Sequence, residues 1–289
     1  MERIKENVLL SQYSTFRIGG PARYLVEASN SEELKAAIQE SFKLNLPFLV
    51  IGSGSNILFP SKGYNGLIIV FNSTNDFLIK NDLIKASAAL PLNYLISNLK
   101  NYTGLEWAAG IPGTLGGAIN GNAGALKKEM AEIVKEVDCW EIKDKEIIEK
   151  KYPKEKCKFS YRSSVFKNNP NLIIVSATLQ LQKGDEKQIT ERIKENISKR
   201  SKQPKGFSIG SIFKNGETFS AGELIEKAGL KGKQIGGVKI SEEHANFIIN
   251  LGNATSEDVL KLIEIAKEEV RKKFSVNLEE EIKTIDNSF

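Results

Sequence analysis

Residues 110–125 read GIPGTLGGAINGNAGA, with six glycines and no charged side chain. Glycine loses more backbone freedom on folding than any other residue and fills no core, so such a segment must serve left-handed dihedrals or a close approach to the main chain. The uncharged run extends from Trp107 to Leu126, long enough to cross a bilayer if it were helical. Its glycines, Pro112, Asn120 and Asn122 argue against that, being poor helix formers and costly in hydrocarbon. Two uses remain open. One is a string of tight turns; the other is a backbone wrapped around a large ligand, because exposed N–H groups in such turns form anion-binding concavities.

A second glycine cluster, GSGSN at residues 52–56, follows the apolar run LPFLVI. Neither cluster holds GKS or GKT, which excludes a P-loop, and neither supplies the GxGxxG of a Rossmann turn. Two separate glycine turns point to one extended ligand gripped from two sides. A dinucleotide such as FAD has the length, and its pyrophosphate suits backbone N–H groups.

At 289 residues the chain exceeds one typical compact domain, and 40% hydrophobic with 27% charged residues is an ordinary soluble composition. The net charge of +5 could serve nucleic acid, but the lysines alternate with glutamates, as in ITERIKENISKRSK, which is a solvated helix face. A nucleotide-sized anion fits this excess better than a polynucleotide, so no nucleic-acid partner is expected. MERIKENVLLSQYSTF lacks the apolar stretch and cleavage site of a signal peptide, so a cytoplasmic protein without membrane insertion is expected. Cys139 and Cys157 lack CxxC or Cys/His spacing, so reduced structural thiols and no metal are expected.

ARYLVEAS alternates as a strand, and Asn30 with Glu33 predicts a capping box opening a helix over about 31–44. LPFLVI and GLIIVF predict buried strands. DLIKASAAL predicts another, followed by a helix over LNYLISNLKNY. VDCWEI and KEIIEKKY predict a hairpin, NLIIVSATLQLQ a strand, and residues 185–200 a helix ending near a linker at Gln203-Pro204. Beyond it, Ser220 and Glu223 predict a helix stopped at Gly229, GGVKI and NFIINL a strand pair, and residues 256–273 a helix. VNLEEEIKTI alternates like a strand returning to an earlier sheet.

STFRIGGPA, LVIGSGSNIL, GIPGTLGGAINGNAGA, YRSSVF, GSIFKN, LIEKAGLKG, ISEEHANFIIN and LEEEI follow one another from about Ser14 to Ile282, nearly the whole chain. Together they resemble the UDP-N-acetylenolpyruvoylglucosamine reductase (MurB) family of peptidoglycan precursor synthesis. The resemblance implies an α+β chain with a two-subdomain FAD-binding fold of the vanillyl-alcohol-oxidase (PCMH) type. The subdomains would be residues 1–75 and 76–202, the second joined by a C-terminal strand over 275–289, with an α/β substrate-binding subdomain over 203–274. It also implies noncovalent FAD and NADPH as co-substrate. NADPH would deliver hydride and leave, and the enolpyruvyl UDP-sugar would then receive it at its vinyl carbon in the same place.

The cofactor-binding residues so implied are Gly52, Ser53, Gly54, Ser55 and Asn56, with Pro112, Gly113, Thr114, Gly116, Gly117, Ala118, Asn122, Ala123 and Gly124. Arg162 in YRSS would stabilise the enolate-like intermediate at the substrate carboxylate, a task suited to its permanent charge and planar fork. Ser211 in GSIFKN would donate the proton, and Glu281, the third of three consecutive glutamates, would polarise the intermediate. Tyr161, Lys202, Asn215, Lys231 and His244 would contact the UDP-sugar. The chain departs from the family in having Gly216 where proline commonly follows FKN, and Ser61 or Lys62 where an acidic residue is common. It also lacks an insertion bearing a tyrosine that covers the substrate, since Gln182 runs almost directly into the helix near Asp185, and so it resembles the shorter form. The alternatives are another FAD-linked oxidase or dehydrogenase of this fold acting on a small hydroxy acid or alcohol, and a non-enzymatic nucleotide-sugar or nucleic-acid binder using the basic surface. A covalent flavin link through histidine is disfavoured, because His244 lies in the substrate-like third region.

Overall fold

Asn30 opens the helix Ser31–Lys43 by accepting the Glu33 amide on its side chain at 2.9 Å. The Glu33 carboxylate reaches back to the Ser29 amide at 2.8 Å, one residue upstream of the cap. The computed structural model describes residues 4–73, 76–201 and 203–285. In it the alternating and apolar runs become strands. Lys5–Leu9, Pro21–Ala28, Tyr64–Phe71 and Phe48–Ile51 form a four-stranded sheet in that order. A five-stranded antiparallel sheet takes the order Glu146–Pro153, Val134–Lys143, Leu172–Gln180, Leu83–Ser87, Phe77–Lys80. The predicted hairpin closes through only two residues, Asp144 and Lys145, both left-handed at φ 51° and 62°. That is the type I′ geometry whose twist matches the flanking strands.

The chain divides into two compact units, one of Met1–Leu25, Gly54–Leu67 and Gln203–Phe289, the other of Val26–Ser53 and Ile68–Lys202. In the first, Phe16, Ile18 and Leu58 join Ile212, Ile225, Val238, Ile248, Val259, Leu262, Val270 and Leu278 in one buried cluster. The helix Ser256–Phe274 begins with a Thr255/Asp258 capping box and buries Val259, Leu262, Ile263, Ala266 and Val270 along one stripe. Each large aliphatic buried there contributes about 1.5–3 kcal/mol. The strand pair expected beyond the linker is present as Val238–Ile240 and Ile248–Asn250.

The C-terminal alternation has a different outcome from the strand expected to join the sheet of residues 76–202. Among its described residues only Lys283–Thr284 is strand, and it lies parallel to Ile57–Leu58. Upstream, Leu278 and Ile282 sink into the cluster while Glu279 and Glu280 pair with Lys214 and Lys267. The alternation there records packing on the core, with a single antiparallel bridge between Phe213 and Glu280 where a longer ladder was expected.

In the second unit the five-stranded sheet buries Ile84, Ala86, Val137, Cys139, Ala177 and Leu179. Burial raises the Cys139 and Cys157 thiols to about 12. The helix Glu186–Arg200 starts at the Asp185 cap and is tied to Glu106 by Arg192 at 3.1 Å and by Asn196, which donates to the Glu106 carbonyl at 2.9 Å. Burial pushes the Glu106 carboxyl upward, but backbone hydrogen bonds, Thr103 and Arg192 outweigh it and hold it below the usual range. Among the described residues, no helix is long and apolar enough to cross a membrane, and no cluster of His, Cys, Asp or Glu could hold a metal ion.

Candidate active site

The glycine segment is a short capped helix framed by turns. Thr114 caps Leu115–Asn120, its Oγ1 accepting the Gly117 amide at 3.3 Å. Gly113 is left-handed at φ 130°, and a Cβ on Gly116 would meet that of Ala88 at 2.8 Å, so helix and strand end touch. Gly117 and Gly121 answer to neither reason. Their φ values are ordinary, and a Cβ would find its nearest neighbour at 3.6 and 3.7 Å. Tight turns and packing therefore leave two glycines unexplained, one of them, Gly117, exposed, as is Pro112, in an uncharged stretch. Those residues fit a flat group laid along the backbone. Ala118 is buried, and its carbonyl accepts from Ala123, whose own carbonyl accepts from Met130.

The first glycine turn meets the second at Gly52, where a Cβ would lie 2.5 Å from Thr114 Oγ1, and Ser53 beside it is exposed. Gly54, left-handed at φ 61°, belongs to the other unit, packed so that a Cβ would strike the Tyr13 carbonyl at 2.0 Å. Ser55 is half-buried and Asn56 exposed.

Arg162 sits at the tip of a two-residue turn closed by reciprocal bonds between Ser160 and Ser163 at 3.1 and 3.0 Å, and is itself left-handed at φ 54°. Its Nη2 donates to the Gly124 carbonyl at 2.8 Å, and its guanidinium lies 5.0 Å over the exposed Tyr161 ring. A Cβ on Gly124 would stand 3.1 Å from its Nη1. One predicted cofactor residue and one predicted catalytic residue thus touch. Arg200 went unnoticed in the sequence, since it lies in a charge-alternating helix that reads as solvated. Its Cδ packs 3.0 Å from where a Gly110 Cβ would be, and desolvation, then the charge of Arg162, lowers its pKa.

Ser211 and Glu281 belong to the first unit. Ser211 bridges Phe247, the Glu281 amide donates to the Ile212 carbonyl at 2.8 Å, and the Glu281 carbonyl accepts from Asn56 Nδ2 at 3.3 Å. Two predicted catalytic residues and a predicted cofactor residue are neighbours here. Buried Asn246 holds the strip in place, exchanging side-chain bonds with both backbone groups of Phe213 at 2.9 and 2.8 Å. Its only sequence signal is an amide inside the apolar run of ANFII. The Asn246 amide also donates to His244 Nδ1 at 3.2 Å, which places the proton of the neutral ring on Nε2. Desolvation holds this histidine below its ordinary pKa. Asn215 accepts the Ala221 amide at 2.9 Å, and Lys231 pairs with Glu226 at 2.7 Å. Lys202 lies outside the described residues.

Residues 22–149 match the model of an FAD binding domain, which places the chain in the class of FAD-binding proteins, and residues 202–285 match the C-terminal domain of UDP-N-acetylenolpyruvoylglucosamine reductase. A Chlamydia trachomatis protein of that name is 42% identical over 286 residues, 98% of this chain and 96% of its own. A Clostridium novyi protein of the same name is 36% identical over 288 residues, covering 98% and 92%. The crystal structure of UDP-N-acetylenolpyruvylglucosamine reductase (MurB) from Thermus caldophilus, 34% identical, aligns over 98% of this chain and 99% of its own with a TM-score of 0.81. The chain belongs to the UDP-N-acetylenolpyruvoylglucosamine reductase family.

Proposed function

We propose that this chain reduces UDP-N-acetylenolpyruvoylglucosamine to UDP-N-acetylmuramate with NADPH, through noncovalently bound FAD, in the cytoplasmic synthesis of peptidoglycan precursors. The observation that carries the reading is family membership over nearly the full length of both this chain and its relatives. The same proposal assigns residues 1–75 and 76–202 to the cofactor and 203–274 to the sugar nucleotide. Bound FAD supplies a hydride relay between the two substrates. Gly52 to Asn56 and the segment from Pro112 to Gly124, except Asn122, which is completely buried, would hold it by backbone groups, the role supported by the space at Gly117 and Gly121.

Arg162 holds the substrate carboxylate and stabilises the charge that hydride addition pushes into it. The Gly124 carbonyl fixes one arm of its guanidinium, which orients the group before substrate arrives. Ser211 delivers a proton to the carbon beside that carboxylate; a hydroxyl is a weak acid, but its acceptor here is a strongly basic enolate carbon. Glu281 is the polarising carboxylate, on a backbone held by Ile212 and Asn56. Tyr161, Asn215, His244, Lys202 and Lys231 contact the UDP-sugar, with Lys231 exchanging Glu226 for the diphosphate.

The test is anaerobic. Yellow protein should release all its flavin into the supernatant on acid denaturation. Intact protein should bleach with NADPH and regain its colour when UDP-N-acetylenolpyruvoylglucosamine is added. Reduced protein that stays bleached in the presence of this sugar nucleotide would overturn the reading.

A further inference from the structure

Asn122 is completely buried, so its carboxamide has no exposed surface with which to meet a cofactor. Both ends of that carboxamide are used. Nδ2 donates to the Ser160 carbonyl at 2.9 Å, and Oδ1 accepts the Ala131 amide at 2.9 Å. Ser160 is the first residue of the turn that presents Arg162, and its carbonyl also receives the Ser163 amide that closes the turn. Two further bonds join the same segments: Ser164 Oγ donates to the Asn120 carbonyl at 2.7 Å, and Arg162 Nη2 donates to the Gly124 carbonyl at 2.8 Å. Residues 120, 122 and 124 thus hold residues 164, 160 and 162. In this set Asn122 is the member of the glycine segment that contributes a side chain.

We infer that Asn122 is a positioning residue for Arg162, its carboxamide bracing the Ser160–Ser163 turn so that the guanidinium meets a carboxylate. The inference rests on the role proposed above for Arg162. Two residues here are left-handed without being glycine, Arg162 at φ 54° and Asn122 at φ 42°. Asparagine tolerates that region better than most residues. Arginine has no such latitude, so its turn needs outside support, and a buried amide satisfied at both ends is a stiff way to provide it. A misplacement of about 1 Å at a reacting group can cost about 10²-fold in rate, so a brace of this kind has a measurable kinetic effect.

The variants are Asn122→Gly, which keeps the left-handed backbone, and Asn122→Asp, which keeps the acceptor for Ala131 but replaces the donor to Ser160. Calorimetry compares UDP-N-acetylmuramate, which bears the carboxylate, with UDP-N-acetylglucosamine, which does not. Both variants should bind the first at least about tenfold more weakly, as expected for a lost charge-assisted contact, and the second as wild type does. Flavin content and bleaching by NADPH should stay within about twofold of wild type, while reoxidation by the enolpyruvyl sugar nucleotide slows by about 10²-fold. In an Arg162→Ala background, Asn122→Gly should add no further loss, because both changes remove one function. Equal weakening of both nucleotides, loss of flavin in both variants, or losses that multiply in the double variant would each overturn the inference. Wild-type protein that bleaches but is never reoxidised would instead sink the functional reading, and this inference with it.

Discussion

Ser211 is held through its backbone bridge to Phe247, and the neighbouring Ile212 and Phe213 are fixed by Asn246. Its hydroxyl can therefore be removed without disturbing the strip. Hydride transfer from NADPH needs no proton from this residue, whereas completing the reduction of the enolpyruvyl group does. Ser211→Ala should leave bleaching intact and slow reoxidation by roughly 10²–10⁴-fold, the range credited to general acid catalysis, and Ser211→Cys should recover part of the loss. Stopped-flow traces showing wild-type reoxidation in a folded, flavin-loaded Ser211→Ala protein would move the proton donor to Glu281. At this scale an ordered set of short motifs marks Arg162 and Ser211 in the sequence as candidates. The sequence is silent on Asn246 and Arg200, whose roles come from partners distant along the chain: Phe213 for one, Gly110 for the other.

Elements were legible in proportion to their local signals. Asn30, Asp185, Ser220 and Thr255 each cap a helix with a side-chain oxygen, as residues of those types do. The hairpin of Val134–Lys143 and Glu146–Pro153 was visible from its two apolar runs, but its turn was not, because KDKE carries no glycine at the left-handed positions. That mismatch makes a prediction. Lys145 is left-handed at φ 62°, and its Nζ bonds Asn45 Oδ1 at 3.0 Å on the surface. An exposed polar contact of this sort is worth little, whereas glycine relieves the backbone. Lys145→Gly should stabilise the protein by about 0.5–1 kcal/mol, seen as a higher urea midpoint at unchanged m-value. A lower midpoint would mean that the Asn45 bond outweighs the backbone relief.

The whole molecule departs most from a reading made along the chain. Periodicity places elements in sequence and so divides the chain at points such as residues 75 and 202. The C-terminal segment instead shares its unit with Met1–Leu25 and Gly54–Leu67. Thr15 Oγ1 donates to the Ser208 carbonyl at 2.7 Å, and buried Asn250 Nδ2 donates to the Phe16 carbonyl at 2.9 Å, pairs separated by 193 and 234 positions. Ser61 and Ser256 exchange bonds in the same way, and Lys283–Thr284 has its strand partner at Ile57–Leu58. No local pattern announces such pairings, because each half looks complete by itself. Their energetic consequence is that residues 203–289 lack Phe16, Ile18 and Leu58 from their own core. Removing large buried side chains costs about 2–5 kcal/mol apiece, so losing three from one cluster takes away about as much as a domain's whole stability. A fragment of residues 203–289 should therefore show no cooperative thermal transition and poor amide dispersion, although the family's C-terminal domain match spans nearly the same residues. A sharp, reversible melt of that fragment would show that the N-terminal pieces decorate this core and are not part of it.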